Sequence, residues 1–255
     1  MARPRTYKSH GLVLKHAPLG EVDRLVTLYT PDRGKLRGVA RGARHPRSRL
    51  AGHLEPLTHV RVSVAEGRSL DTIAEAETVQ SFRALREDLH KITHGVYMAE
   101  LVDRFSADQS PSPAVFSLLR DSLGRLEDAA DPSLLLRYFE VQLLAVTGFG
   151  PELGQCVECN TPVQPGDHLF SYASGGVICP RCTPPAHQAV LSLSLNAIKV
   201  LRHLQRGPYA RVERLRVAPG LHGELERLLR NYVRYVLDRD VNSAAFVGLG
   251  APAGR

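Results

Sequence analysis

Between residues 8 and 77, apolar and polar positions alternate in short runs, as they do when successive side chains point to opposite faces of a strand. Ser9–Lys15, Val22–Thr30, Lys35–Arg41, Leu57–Ala65 and Leu70–Glu77 are the expected strands. Pro31-Asp32-Arg33-Gly34 and Ala65-Glu66-Gly67-Arg68 supply the turn chemistry for two of the connections. Five short strands suit a small closed barrel, which leaves no sheet edge exposed. A five-stranded OB-fold is the economical choice and an SH3-like barrel the alternative.

From Ser81 the apolar period becomes helical. Leu85, Leu89, Ile92, Val96, Ala99, Val102 and Phe105 form a stripe spaced by threes and fours. Ser110-Pro111-Ser112-Pro113 interrupts it, and a second helix carries Val115, Leu118, Leu119 and Leu123. Asp131-Pro132 starts a third, since Asp accepts orphan amide protons and Pro fits the first turn. That helix stops at Gly148. Helix recurs over Leu193–Gln205 and Leu221–Asp238. Tyr97, Phe105, Phe116, Tyr138 and Phe139 are expected in the core. The fold class is therefore α+β and multidomain: an N-terminal barrel over residues 1–80, a helical domain over 81–150 and 183–245, a small module over 151–182, and a flexible tail over 246–255.

Charge changes this picture from architecture to function. The net charge is +7, and the excess sits at the two ends. Residues 1–80 hold 14 Lys/Arg against 8 Asp/Glu, and residues 183–255 hold 11 against 5. The stretch 33–49 contains Arg33, Lys35, Arg37, Arg41, Arg44, Arg47 and Arg49 and no acid. Lys35, Arg37 and Arg41 occupy alternate positions of one expected strand and should point together away from the core, with a cationic loop following. Such an array can track the phosphates of a nucleic acid. Lys199, Arg202 and Arg206 recur at helical spacing and form a possible second contact. No apolar run approaches the roughly 20 residues that span a bilayer, and the N-terminus lacks a signal-peptide core. A cytoplasmic protein is expected, with no membrane partner.

In that compartment thiols stay reduced, so the four cysteines are read as metal ligands. Cys156-x-x-Cys159 and Cys179-x-x-Cys182 are two knuckles, with Gly175-Gly176 where a hairpin turn is needed between them. Four thiolates complete a tetrahedral zinc shell with no open position, which makes one structural Zn²⁺ the expectation. An iron site would use the same ligands, but no motif for electron transfer accompanies it. His168 and His187 lie nearby, yet four thiolates already saturate the ion. Elsewhere there is no Walker loop, no Gly-x-Ser-x-Gly and no HExxH, and the acid pairs lie in surface-like helical contexts. No catalytic residues are expected.

Two blocks of residues carry a resemblance. The first runs through Gly11-Leu12-Val13-Leu14, Gly20-Glu21-x-Asp23, Leu25-Val26-Thr27-Leu28-Tyr29-Thr30, Gly34-Lys35, Val39-Ala40-Arg41-Gly42-Ala43-Arg44 and Leu54-Glu55-Pro56-Leu57. The second is Thr147-Gly148-x-x-Pro151-x-Leu153, the two cysteine pairs, Phe170-Ser171 and Gly175-Gly176. In this order they resemble the RecO family of bacterial recombination mediators. The resemblance implies an N-terminal OB-fold, a helical domain and an inserted zinc module. It also implies binding of single- and double-stranded DNA, strand annealing, and assistance to RecA on DNA coated with single-strand-binding protein. RecR and the acidic tail of single-strand-binding protein are the implied partners, and the nucleoid is the implied place of work. A zinc-stabilised barrel that binds structured RNA is the alternative.

Overall fold

The computed structural model describes residues 6–184 and 188–237. The chain divides into two compact units, with the boundary between Asp128 and Ala129. The sequence boundary at 80 follows the change of apolar period, and those at 150 and 182 bracket the two cysteine pairs. The packing boundary falls elsewhere: the first three helices belong with the barrel, and the rest with the cysteine module. The expected tail over 246–255 and His187 lie outside the described residues.

In the first unit, β1 (Thr6–Leu19), β2 (Asp23–Thr30), β3 (Gly34–Ala40), β4 (His59–Ala65) and β5 (Asp71–Gln80) close in the order β1-β2-β3-β5-β4. β1 is long enough to serve two partners. Its first half pairs with β4, from Thr6↔Ala65 to Leu12↔His59, and its second with β2, from Leu12↔Tyr29 to Leu19↔Asp23. A register shift between Val13 and Lys15 marks the bend. Closure is completed by a short parallel contact, Gly38↔Asp71 and Val39↔Thr72. Alternation then does what period two requires: Val26 and Leu28 of β2, Leu36 and Ala40 of β3, and Val60, Val62 and Val64 of β4 fill the barrel. Burying each of these valines and leucines contributes on the order of 1.5–3 kcal/mol.

The expected helical stripe from residue 85 breaks early. α1 (Arg83–Arg86) is one turn, and Asp88 then caps α2 (Leu89–Phe105) by accepting from the amides of His90 and Lys91. The buried face of α2 holds Tyr97, Met98, Leu101 and Val102, so Leu89 and Val96, read as stripe residues, are exposed. Phe105 is only half-buried, while Tyr97, Phe116, Tyr138 and Phe139 are buried. α3 (Pro113–Asp128) brings Phe116 edge-on to His10 and His59 of the barrel. Burial, then the neighbouring His10 and Arg120, push the His59 imidazole down to about 4, so it packs there uncharged.

The second unit begins with α4 (Pro132–Val146), whose cap is Asp131 accepting from Leu134 at 2.9 Å, as its Asp-Pro start requires. Gly148, with φ of +87°, ends it. A three-stranded sheet follows in the order β7-β6-β8: β6 (His168–Ser171), β7 (Gly176–Ile178) and β8 (Val190–Leu193). β8 takes Leu193, which helical periodicity had claimed, because the Ser194 hydroxyl caps α5 (Leu195–Arg206) and starts it two residues later than expected. A one-turn α6 (Tyr209–Val212) and α7 (Pro219–Leu237) complete the described chain. No helix among the described residues is long and apolar enough to cross a membrane.

Candidate nucleic-acid interface and metal centre

The run 33–49 has no acid of its own, but the fold brings acids to it. Arg33 lies at the β2–β3 turn, which Gly34 makes possible. Gly34 has φ of +69°, and any Cβ there would strike the carbonyl of Ser110. The Arg33 guanidinium stacks 3.6 Å above the Tyr7 ring and lies 3.6 Å from Glu66. Lys35 is 9% exposed. Its Nζ donates to the carbonyl of Asp103 at 2.8 Å and lies 3.4 Å from the Asp103 carboxylate and 3.5 Å from Asp108. Gln109 donates its amide to the Lys35 carbonyl, so the segment after α2 is laid along β3. Arg37 lies 3.5 Å from the other Asp108 oxygen.

Arg44 is exposed but structural. Its side chain donates to the carbonyls of Gly20 and Glu21, and its amide to Val22, while Gly42 donates to Asp23. The segment after β3 is thereby stitched to the β1–β2 tip. Arg41, Arg47 and Arg49 are exposed and make no ion pair or hydrogen bond among the described residues. Thus the expectation of three cations pointing together from β3 holds for Arg37 and Arg41 and not for Lys35. The charge left unbalanced lies in 41–49. Nothing within the run signals this, because the neutralising acids are 33 to 73 residues away.

The buried pair has a measurable consequence. Burial works against the Asp103 charge, but Lys15, bonded to it at 2.6 Å, and Lys35 hold its carboxyl below the usual carboxylate range. A carboxylate whose folded pKa is depressed adds stability above its unfolded pKa and loses it as pH falls through the folded one. Lys35→Ala is expected to lower stability by about 1–3 kcal/mol at neutral pH and to flatten the acid limb of the melting profile below pH ~4. Thermal melts between pH 3 and 7 check this; a profile identical to the wild type would take the pair out of the account.

In the second unit the cysteine pairs converge. All four Sγ atoms lie within 4.8 Å of one another, with Cys159–Cys179 and Cys179–Cys182 each at 3.7 Å. Sulfurs at the corners of a tetrahedron with metal–sulfur bonds of about 2.3 Å are separated by about 3.8 Å. The four cysteines therefore fit one structural metal ion. Local structure explains the convergence. Cys156 accepts the Cys179 amide through its sulfur at 3.3 Å, and Asn160, at φ of +57°, turns the first knuckle back on itself. Val157 and Glu152 exchange backbone bonds with Gly175 and Val177. A Cβ on Gly176 would meet Val157 Cγ1 at 2.5 Å, so glycine lets the first knuckle lie against β7. The thiols crowd each other: hydrogen bonding from Thr161 holds Cys159 down to about 6, while that from Cys159 and Cys179 pushes Cys182 up to about 12. A cation relieves such crowding. His168 stays outside this cluster; it is buried with its Nδ1 at 2.8 Å from the Gly166 carbonyl.

The α5 cations divide in the same way. Lys199 and Arg206 are exposed, but Arg202 donates through Nε and Nη2 to the carbonyl of Leu153, just ahead of the first knuckle. Gln205 adds a bond to the Pro151 carbonyl. Arg202 therefore ties α5 to the backbone three residues ahead of Cys156. The arginines of α7, Arg227, Arg230 and Arg234, are exposed and recur at a helical spacing that the sequence itself carries.

Comparison with known proteins covers nearly the whole chain. The family model described as Recombination protein O N terminal matches residues 1–82, and that described as Recombination protein O C terminal matches residues 86–245. The chain is 37% identical over 240 residues to the DNA repair protein RecO of Dehalococcoides mccartyi strain CBDB1, covering 94% of each. It is 39% identical over 245 residues to that of Roseiflexus sp. strain RS-1, covering 96% of this chain and 86% of the relative. Against that of Symbiobacterium thermophilum it is 38% identical over 244 residues, covering 94% and 96%.

Proposed function

The chain belongs to the RecO family of DNA repair proteins, and from that premise we propose that it binds single- and double-stranded DNA, anneals complementary strands and, with RecR, helps RecA load onto DNA coated with single-strand-binding protein. A role in DNA repair and recombination follows from membership alone. The finer reading rests on one observation: Arg41, Arg47 and Arg49 are exposed, unpaired among the described residues, and lie just beyond a barrel strand.

We read that barrel as an OB-fold, which its strand order and short β3–β5 closure support. Such a barrel holds strands through their phosphates without reading sequence, which suits annealing. We assign Zn²⁺ to the four-cysteine cluster, as a fold-stabilising ion with every position filled by thiolate. The protein is proposed to act without catalysis, in the cytoplasm at the nucleoid, with RecR and the acidic tail of single-strand-binding protein as partners. No observation favours structured RNA over DNA.

The wild-type chain is expected to accelerate annealing of complementary single strands coated with single-strand-binding protein. A rate equal to the protein-free control would refute the annealing role.

A further inference from the structure

Helix α7 presents two unlike faces. Leu225, Leu228, Leu229, Tyr232 and Val233 are buried, while Arg227, Arg230 and Arg234 are exposed along the opposite side at i, i+3 and i+7. Tyr235, which follows Arg234 and points about 100° round the helix from it, flanks that row and leaves 52% of its surface exposed. With a rise of 1.5 Å per residue, the row of cations runs for about 10 Å. Arg227 and Arg230 make no ion pair or hydrogen bond among the described residues. The nearby Glu224 is engaged, accepting from the amide and hydroxyl of Ser194.

A solvated helix face is the ordinary reading of such a row, and three features argue against it. Arg24, Arg33, Arg61, Arg83 and Arg120 each meet a carboxylate within 4 Å, whereas Arg227 and Arg230 share with Arg41, Arg47 and Arg49 the lack of one among the described residues. Cations near a helix C-terminus are favoured by its dipole, but that effect fades within the last turn and does not account for Arg227 and Arg230. A half-exposed tyrosine flanking a cationic row pairs a ring for an unstacked base with guanidiniums for the phosphates, the combination that holds single strands.

We infer that the outer face of α7 is a second, independent contact surface for single-stranded nucleic acid, formed by Arg227, Arg230 and Tyr235. This rests on the proposed DNA-binding function. It gives the chain two strand-binding surfaces, one on each compact unit, so that one molecule can hold two strands at once.

The test is calorimetric titration of the full chain with an oligothymidine of about ten nucleotides, within the site size of one such surface. Wild type is expected to bind two oligonucleotides per chain. Arg227→Gln with Arg230→Gln should bind one, and should lower the salt slope by ~1.4 if two phosphate contacts are lost. Tyr235→Ala should weaken one of the two sites about tenfold. Arg227→Lys with Arg230→Lys, which keeps the charge, should still bind two, separating charge loss from misfolding. An α7 double glutamine variant that melts like wild type and still binds two oligonucleotides would overturn the inference. So would one that loses only binding of an acidic peptide. A barrel variant, Arg41→Gln with Arg47→Gln and Arg49→Gln, that still binds two would instead remove the proposed barrel interface and leave α7 standing.

Discussion

Replacing Cys156 by serine is expected to abolish metal binding by the chain and to lower its thermal midpoint by on the order of 10 °C, about 3–5 kcal/mol at this chain length. The thiols join the two knuckles directly. The core of the module consists of Cys156, Ile178 and Cys179, with Val157, Leu169 and Val190 packed partly buried against them. This cluster is small, and metal–thiolate bonds add to it the free energy that offsets the entropy of ordering the knuckles. Cys156 is fully buried and also accepts the Cys179 amide, so serine removes both a ligand and a brace between the knuckles. The wild type is expected to carry about one zinc per chain, released by chelators and by acid as protons compete for the thiolates. Metal analysis beside thermal melts checks this. A serine variant with full metal content, or a metal-free wild type of equal stability, would contradict it.

What could be read from residues alone depended on how local the determining physics is. The strands of the barrel were legible because Val60, Val62 and Val64 alternate with polar residues, and that period needs no knowledge of partners. The start of α4 was legible because Asp131 and Pro132 satisfy a helix terminus by themselves. The metal cluster was legible because each Cys-x-x-Cys carries half of the geometry in four residues. Lys35 was misread for the opposite reason. Its burial depends on Asp103 and Asp108, delivered by a helix and a loop some 70 residues on. Arg202 looked like a surface cation until the backbone it clamps, at Leu153, was in place. β8 was hidden because Val190–Leu193 forms a strand only by pairing with β6.

Neutralising Arg41, Arg47 and Arg49 together by glutamine is expected to weaken single-stranded DNA binding about a hundredfold near 0.1 M salt while leaving the fold unchanged. These side chains make no hydrogen bond or ion pair among the described residues, so their loss costs the folded state little. Arg33, Lys35 and Arg37 differ, because a phosphate would have to displace Glu66, Asp103 or Asp108 before gaining them. Lys35 changes should therefore register in stability first and in binding second.

The most direct measurement is the dependence of the DNA dissociation constant on salt concentration, for wild type and the triple glutamine variant, in single- and double-stranded DNA. Each phosphate contact contributes about 0.7 to the logarithmic slope for a single strand and about 0.9 for a duplex. The predicted result is a triple-variant slope shallower by ~2 and ~2.7 respectively, with an unchanged melting curve. Superimposable slopes for the two proteins would show that the 41–49 segment does not carry the phosphates.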